Sequence, residues 1–253
     1  MKFAGIIAEY DPFHNGHAWQ LAQAKALGAE RVAVAMSCSL VQRGALPLLP
    51  EAVRTRSALT CGADLVFALP APCACAGAEA FARAGVALLA AAGCDGLVFG
   101  AATPDAALLM EAAELLDSGS YRAALKAQLA GGARSFAAAR QAAAAQLASD
   151  ERVAALLDKP NNNLAVEYCR AIRSLAPRME AYPLPRQGAN HGEALHSAHG
   201  QFASASALRK LWAEGGADAI APYVPEAVFP LYQEAYAAGQ YTDFSAAGRC
   251  ELA

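Results

Sequence analysis

Apolar positions along this 253-residue chain gather into short unbroken runs, separated by longer stretches of helical period. Residues 3–8 read as a first strand, followed by a helix over about 17–27 with Gly28 as its stop. Residues 31–36 form a second short apolar strand, and 52–61 a helix closed by Gly62. Residues 64–69 read as a third strand ending at Pro70, 78–92 as a helix closed by Gly93, and 96–100 as a fourth strand. Strands that are apolar throughout, alternating with helices, predict a parallel sheet covered on both faces.

Residues 103–158 break this alternation with long helical patterns and no strand, and are read as a helical insertion. A helix over 164–175 follows, with Asn161, Asn162 or Asn163 as candidate N-cap. Residues 179–184 read as a fifth strand and 204–213 as a helix led by two serines; the tail after Gly215-Gly216 is mostly helical. The expected organisation is one α/β catalytic unit over 1–215 and a partial helical C-terminal region over 216–253.

Composition narrows the class. The chain is 56% hydrophobic, and much of this is alanine, the best helix former, in runs such as Ala142-Ala143-Ala144-Ala145. The largest apolar block, Ala84 to Cys94, is too short to span a bilayer, and a signal-peptide pattern is missing, so no membrane and a soluble cytoplasmic setting are expected. Seven cysteines at irregular spacing read as free thiols, and Cys73-Ala74-Cys75 lacks a second pair to complete a metal site, so none is predicted. The formal charge of −3 gives no basic excess of the kind that announces a nucleic-acid partner, although a net charge hides local distribution.

In an open parallel sheet, ligands bind beyond the carboxyl ends of the strands, and the unusual polar residues gather in three such segments, 9–17, 37–44 and 185–191. His14 and His17 stand on a strand-to-helix bend where backbone N–H groups and the helix dipole favour a phosphate; alone, the pair reads as readily as exposed helix caps. Asp11 suits backbone positioning, magnesium or a simple Asx-turn. In the segment that Ser37 opens, Gln42, Arg43 and Gly44 form a polar turn whose Arg43 could meet a carboxylate or phosphate, whereas Arg54 and Arg56 read as a solvated helix face. Asn161 and Asn162 offer amides that could read an adenine edge, and Arg186 ends the fifth strand. Ser204, Ser206 and Arg209 surround a helix start as a second phosphate cradle. Together these point to ATP and to in-line adenylyl transfer, in which positioning and charge neutralisation do most of the catalysis.

Asn15-Gly16 between the two histidines resembles the HxGH signature of the nucleotidylyltransferase superfamily, and residues 204–209 resemble its second signature. AEYDPFHNGH (8–17), VQRG (41–44), GADLVFALP (62–70), ARSFAAAR (133–140) and KPNNNLAVEY (159–168) resemble, in order, the bacterial tRNA(Met) cytidine acetate ligases. The resemblance implies a Rossmann-like parallel sheet of the HxGH nucleotidylyltransferase type with a helical insertion. It implies activation of acetate by ATP, with Mg2+ alongside, to acetyl-adenylate, then N4-acetylation of the wobble cytidine of elongator tRNA(Met). It places ATP against Ile7, Ala8, Glu9, Tyr10, Asp11, Pro12, Phe13, His14, Asn15, Gly16, His17 and Gln20, and against Gly100, Asn161, Asn162 and Arg186, with His14 and His17 as the catalytic pair. Asp11 stands where the family usually has asparagine, and the family's basic C-terminal part has no counterpart here, so an incomplete tRNA surface is expected. Rival readings are a small-molecule adenylyltransferase and a non-catalytic nucleotide- or RNA-binding module.

Overall fold

The five apolar runs pair edge to edge, all parallel, in one sheet. The computed structural model describes residues 1–132, 135–157, 160–185 and 202–244; the side chains of Arg43, Ala137, Pro160 and Asn161 lie outside that description. The sheet half opens with β1 (Phe3–Ala8), α1 (Asn15–Ala26), β2 (Arg31–Ser37), α2 (Glu51–Thr60) and β3 (Leu65–Leu69). It continues through α3 (Ala71–Ala74), α4 (Ala78–Ala91) and β4 (Gly96–Ala101). Four helices come next: α5 (Ala106–Asp117), α6 (Gly119–Ala130), α7 (Phe136–Leu147) and α8 (Glu151–Leu156). The chain then returns to the sheet through α9 (Pro160–Leu175) and β5 (Glu180–Pro185), and ends in α10 (Ala205–Gly215), a 3-10 turn (Ala217–Tyr223) and α11 (Phe229–Ala237).

The strand order is β3-β2-β1-β4-β5, so the winding reverses between β1 and β4. That reversal is where a doubly wound sheet opens a ligand crevice. Here the opening is built into the pairing. β1 matches β2 along six residues, but meets β4 only at Ala4–Gly96 and Gly5–Leu97. Beyond Gly5 the two central strands part. The Gln20 side chain, from α1, donates to the Val98 carbonyl at 3.1 Å and so supplies a bond at the parted seam.

Each face of the sheet carries its own core. Ala33, Ala35, Leu97 and Phe99 pack with Phe81, Val86 and Leu89 of α4 and with Val166, Cys169 and Ile172 of α9. Ile6, Val32, Val34 and Met36 pack on the other face with Leu21, Val53, Leu208, Trp212 and Tyr232. The helix α4 lies close against β1 because Gly85 has no Cβ; one built there would stand 2.5 Å from the Ile7 side chain. Cys94 and Cys169 are buried, and burial pushes both thiols up to about 12, which leaves them inert. Among the described residues no helix is long and apolar enough to cross a membrane.

Two local expectations need correcting. The first helix starts at Asn15, not at His17, and its N-cap is His14. The α9 helix starts at Pro160, so the three asparagines lie inside its first turns and do not serve as the cap expected of them. Proline suits a first helical position, since its missing N–H would have no intrahelical acceptor there.

Candidate active site

The segment between β1 and α1 is held from every side. Tyr10 takes a left-handed backbone, φ 52°, and its ring lies buried edge-on to Phe13 and His17, with centroids 4.9 and 4.8 Å away. The Asp11 carboxylate accepts from the Leu48 N–H at 2.6 Å and from Arg209 at 3.0 Å, and Arg209 also donates to the Asp11 carbonyl at 2.7 Å. The Tyr232 hydroxyl donates to the Phe13 carbonyl at 2.8 Å, and the Asn15 amide to the Pro222 carbonyl at 3.3 Å. A loop close to the start of the chain is thus fastened by α10, α11 and the turn between them.

Below this loop, Arg54 is fully buried. Its guanidinium donates to the carbonyls of Leu49 at 3.0 Å, Glu9 at 2.8 Å, Ser37 at 2.7 Å and also Cys38. Glu9 follows β1, Ser37 and Cys38 end and follow β2, and Leu49 leads into α2, so one side chain ties together the two segments that follow the strands. The expectation of a solvated Arg54 is therefore overturned. Arg56 does stay exposed, 3.8 Å from Glu234.

The two histidines form a reciprocal cap. The Gly16 N–H donates to His14 Nδ1 at 3.0 Å, and the His14 N–H donates to His17 Nδ1 at 3.3 Å. Both rings accept at Nδ1, which places the proton of each neutral ring on Nε2. The rings stack with centroids 3.8 Å apart. Burial, and then the neighbouring His14, hold His17 well below the usual histidine value. The sequence admitted either a donor or a positive charge here, and the geometry makes His17 a neutral N–H donor.

A cavity of about 370 Å³ opens at the parted strand ends. Ile7, Ala8, Glu9, Tyr10 and Asp11 line it from the β1 side, and His14, Gly16, His17 and Gln20 from α1. Gln42, Gly100 and Ser204 complete the set of expected residues that the fold brings together. Two helix N-termini, those of α1 and α10, border the same space. Ser204 caps α10 by accepting from the Ala207 N–H at 3.3 Å. Burial pushes the Glu9 carboxyl up, opposed first by the Gln42 N–H that it accepts.

Other expected residues stand elsewhere. Pro12 and Phe13 are buried under the loop. Asn15 is turned to Pro222, and Ser206 meets Ser204 at 3.1 Å. Arg209 acts on Asp11, and Ser37 is fully buried with its carbonyl taken by Arg54. Asn162 is also fully buried, its oxygen 3.0 Å from the Thr103 N–H and its nitrogen 3.2 Å from the Thr103 hydroxyl; it fastens α9 to the loop after β4 instead of offering an amide to a base. The side chains of Arg43 and Asn161, and all of Arg186, lie outside the described residues.

Sequence reasoning missed the apolar wall. Phe81, Leu164 and Tyr168 line the inner side, and Trp19 and Phe202, with ring centroids 6.2 Å apart, stand on the side of α1. Phe81, Leu164 and Tyr168 sit at helical spacing on α4 and α9, where an apolar periodicity reads the same for core as for a cavity wall. Trp19 gave a usable signal, being a large aromatic two residues beyond the histidine pair.

A family model described as HIGH Nucleotidyl Transferase matches residues 1–250. A tRNA(Met) cytidine acetate ligase of Syntrophotalea carbinolica is 41% identical over 218 residues, 85% of this chain and 52% of that protein. Another, of Caldanaerobacter subterraneus subsp. tengcongensis, is 34% identical over 244 residues, 95% of this chain and 60% of that protein. Among solved structures, Thermotoga maritima TmcAL bound with alpha-thio ATP superposes with a TM-score of 0.83 at 29% identity, covering 95% of this chain and 57% of that one. The apo form of the same protein gives 0.86 at 30% identity, covering 95% and 58%. The chain thus spans little more than half the length of the relatives it matches.

Proposed function

The chain belongs to the HIGH nucleotidyl transferase family, and we propose that it is an ATP-dependent tRNA(Met) cytidine acetate ligase or the catalytic part of one. The observation that carries this reading is the convergence of the His14–His17 cap and the Ser204 helix start on one cavity at the parting of β1 and β4. The triphosphate lies across the two helix N-termini, with the Nε2–H of His17 donating to it. The adenosine occupies the space beside Gly100, and the walls of Phe81, Leu164 and Tyr168 exclude water from the inner end.

A carboxylate oxygen of acetate attacks the α-phosphorus in line and pyrophosphate leaves, giving acetyl-adenylate. The N4 amine of the wobble cytidine of elongator tRNA(Met) then attacks the acetyl carbonyl carbon, AMP leaves, and the amine gives up a proton. In both steps the protein's part is to hold the reacting groups in line and to meet the charge that moves to the leaving group. Gln42 and Arg43 belong to the loop on the acceptor side, where Gln42 reaches the cavity, and Ser37 ends the strand before it. Among the described residues no group of three His, Cys, Asp or Glu side chains is placed to hold a metal ion. Mg2+ enters this reading as part of the nucleotide substrate. Residues 1–215, with the insertion over about 103–158, form the catalytic unit, and 216–253 a partial C-terminal region. A cytoplasmic setting follows from the substrate.

The test is acetate-dependent exchange of pyrophosphate into ATP, followed by N4-acetylcytidine formation on elongator tRNA(Met). His17→Ala should lose exchange by a factor of about 10² or more while keeping the fold. Exchange at the original rate in that variant, or exchange indifferent to acetate, ends this assignment.

A further inference from the structure

A second and larger cavity, about 820 Å³, lies among α4, α5, α6, α7 and α9, outside the site described above. It shares two helices with the first. Phe81 and Tyr168 face the first cavity, while Arg83 and Arg170, on the same two helices, face the second.

The charges in it are unevenly spent. Glu167, almost fully buried, is held by Arg140 at 2.9 Å and by Arg170 at 2.7 Å. Arg170 also takes Asp117 at 2.7 Å and reaches Glu79 at 3.5 Å. Two arginines thus contact all three carboxylates and leave one negative charge over, so the four arginines of the lining outweigh its acids by one. Arg83 and Arg122 line the same space, and among the described residues neither has a carboxylate partner. Arg83 donates to the Ser174 hydroxyl at 3.2 Å and Arg122 to the Asp117 carbonyl at 2.8 Å, and both are exposed. At the rim stands Phe136, 62% exposed and the most exposed large apolar side chain among the described residues.

We propose that this cavity receives a single-stranded stretch of RNA, with phosphates on Arg83 and Arg122 and a base stacked on Phe136. Guanidinium groups without a carboxylate partner, beside an exposed aromatic ring, are the pairing by which proteins hold unstacked nucleotides. A chain with a net charge of −3 must bind a polyanion through a local patch, and this is such a patch. The shared α4 and α9 place it about one helix diameter, roughly 10 Å, from the first cavity, so an RNA whose reacting base enters there has its neighbours within reach. This assignment rests on the reading of the protein as one that acts on RNA.

The test is the binding of an unmodified elongator tRNA(Met) transcript to the full chain across a salt series, with pyrophosphate exchange measured on the same samples. All three positions are exposed, so their variants should melt as the original protein does. Arg83→Gln with Arg122→Gln should weaken binding by about tenfold or more and reduce the salt slope by about 1.4, at roughly 0.7 per single-strand phosphate contact. Arg83→Lys with Arg122→Lys should keep that slope. Phe136→Ala should weaken binding about tenfold at an unchanged slope. Exchange should be unaffected throughout. Original affinity and slope in all variants, or no RNA binding by the original chain while exchange proceeds, overturns the proposal. Loss of exchange in the original chain, with RNA binding still following the variants, would sink the ligase reading and leave this one standing.

Discussion

The carboxylate of Glu167 on α9 lies 2.9 Å from the guanidinium of Arg140 on α7, and this contact joins two of the segments quoted from the sequence, 133–140 and 159–168. Glu167 is nearly inaccessible and spends its second oxygen on Arg170 at 2.7 Å. It therefore ties α7 to α9, and it is not among the described residues that line the first cavity. Glu167→Gln should lower stability in urea by about 1–3 kcal/mol, the two arginines being partly open to solvent, which limits the effect. Pyrophosphate exchange at saturating ATP should hold.

Arg54→Met should cost about 3 kcal/mol, because four carbonyls, two buried and two partly buried, lose their donor. Arg54→Lys keeps the charge but offers three donors from one point and cannot reach four carbonyls spread over two loops. Both variants should raise the KM for ATP, since the guanidinium fixes the Glu9 backbone at the cavity wall. Melting temperature and steady-state kinetics check this together.

At Gly16 a Cβ would stand 2.9 Å from His14 Cε1 and 3.0 Å from its Nδ1. Gly16→Ala should lower stability by about 1 kcal/mol, since displacing the His14 ring breaks its cap on the Gly16 N–H, and slow exchange by about 10²-fold. A variant that melts higher and still exchanges pyrophosphate at the original rate would show that the ring has room to yield.

His17 sets a pH dependence. Its folded value lies well below 6.5, where the unfolded chain takes up the proton. The unfolded state then binds more protons as pH falls through 6.5, so this residue's contribution is complete above that value and declines toward acid. Burial raises Glu9 and Asp11, which act in the opposite sense, stabilising in acid and losing that contribution as pH rises through their folded values. Melting temperature from about pH 7.5 down to about pH 6 should fall more steeply in the original protein than in His17→Ala.

The strands were legible almost to the residue. The first run, 3–8, forms β1 as read, and 31–36 gains only Ser37. Continuous apolar runs have few alternatives in a sheet covered on both faces. Side-chain assignments fared less evenly, because they depend on partners far along the chain. Nothing near Asn162 announces Thr103, and nothing near Asp11 announces Arg209. Arg54 could have been placed better. Val53, Ser57 and Ala58 share its buried side of α2, so helical spacing alone sets it in that stripe.

The fastening of the loop between β1 and α1 by Tyr232 and Pro222 has a kinetic meaning. A chain leaving the ribosome completes its sheet well before these residues emerge. Its first strand and histidines must then wait for a closure spanning more than two hundred residues, so the loop between them is fastened only after the whole sheet has been made.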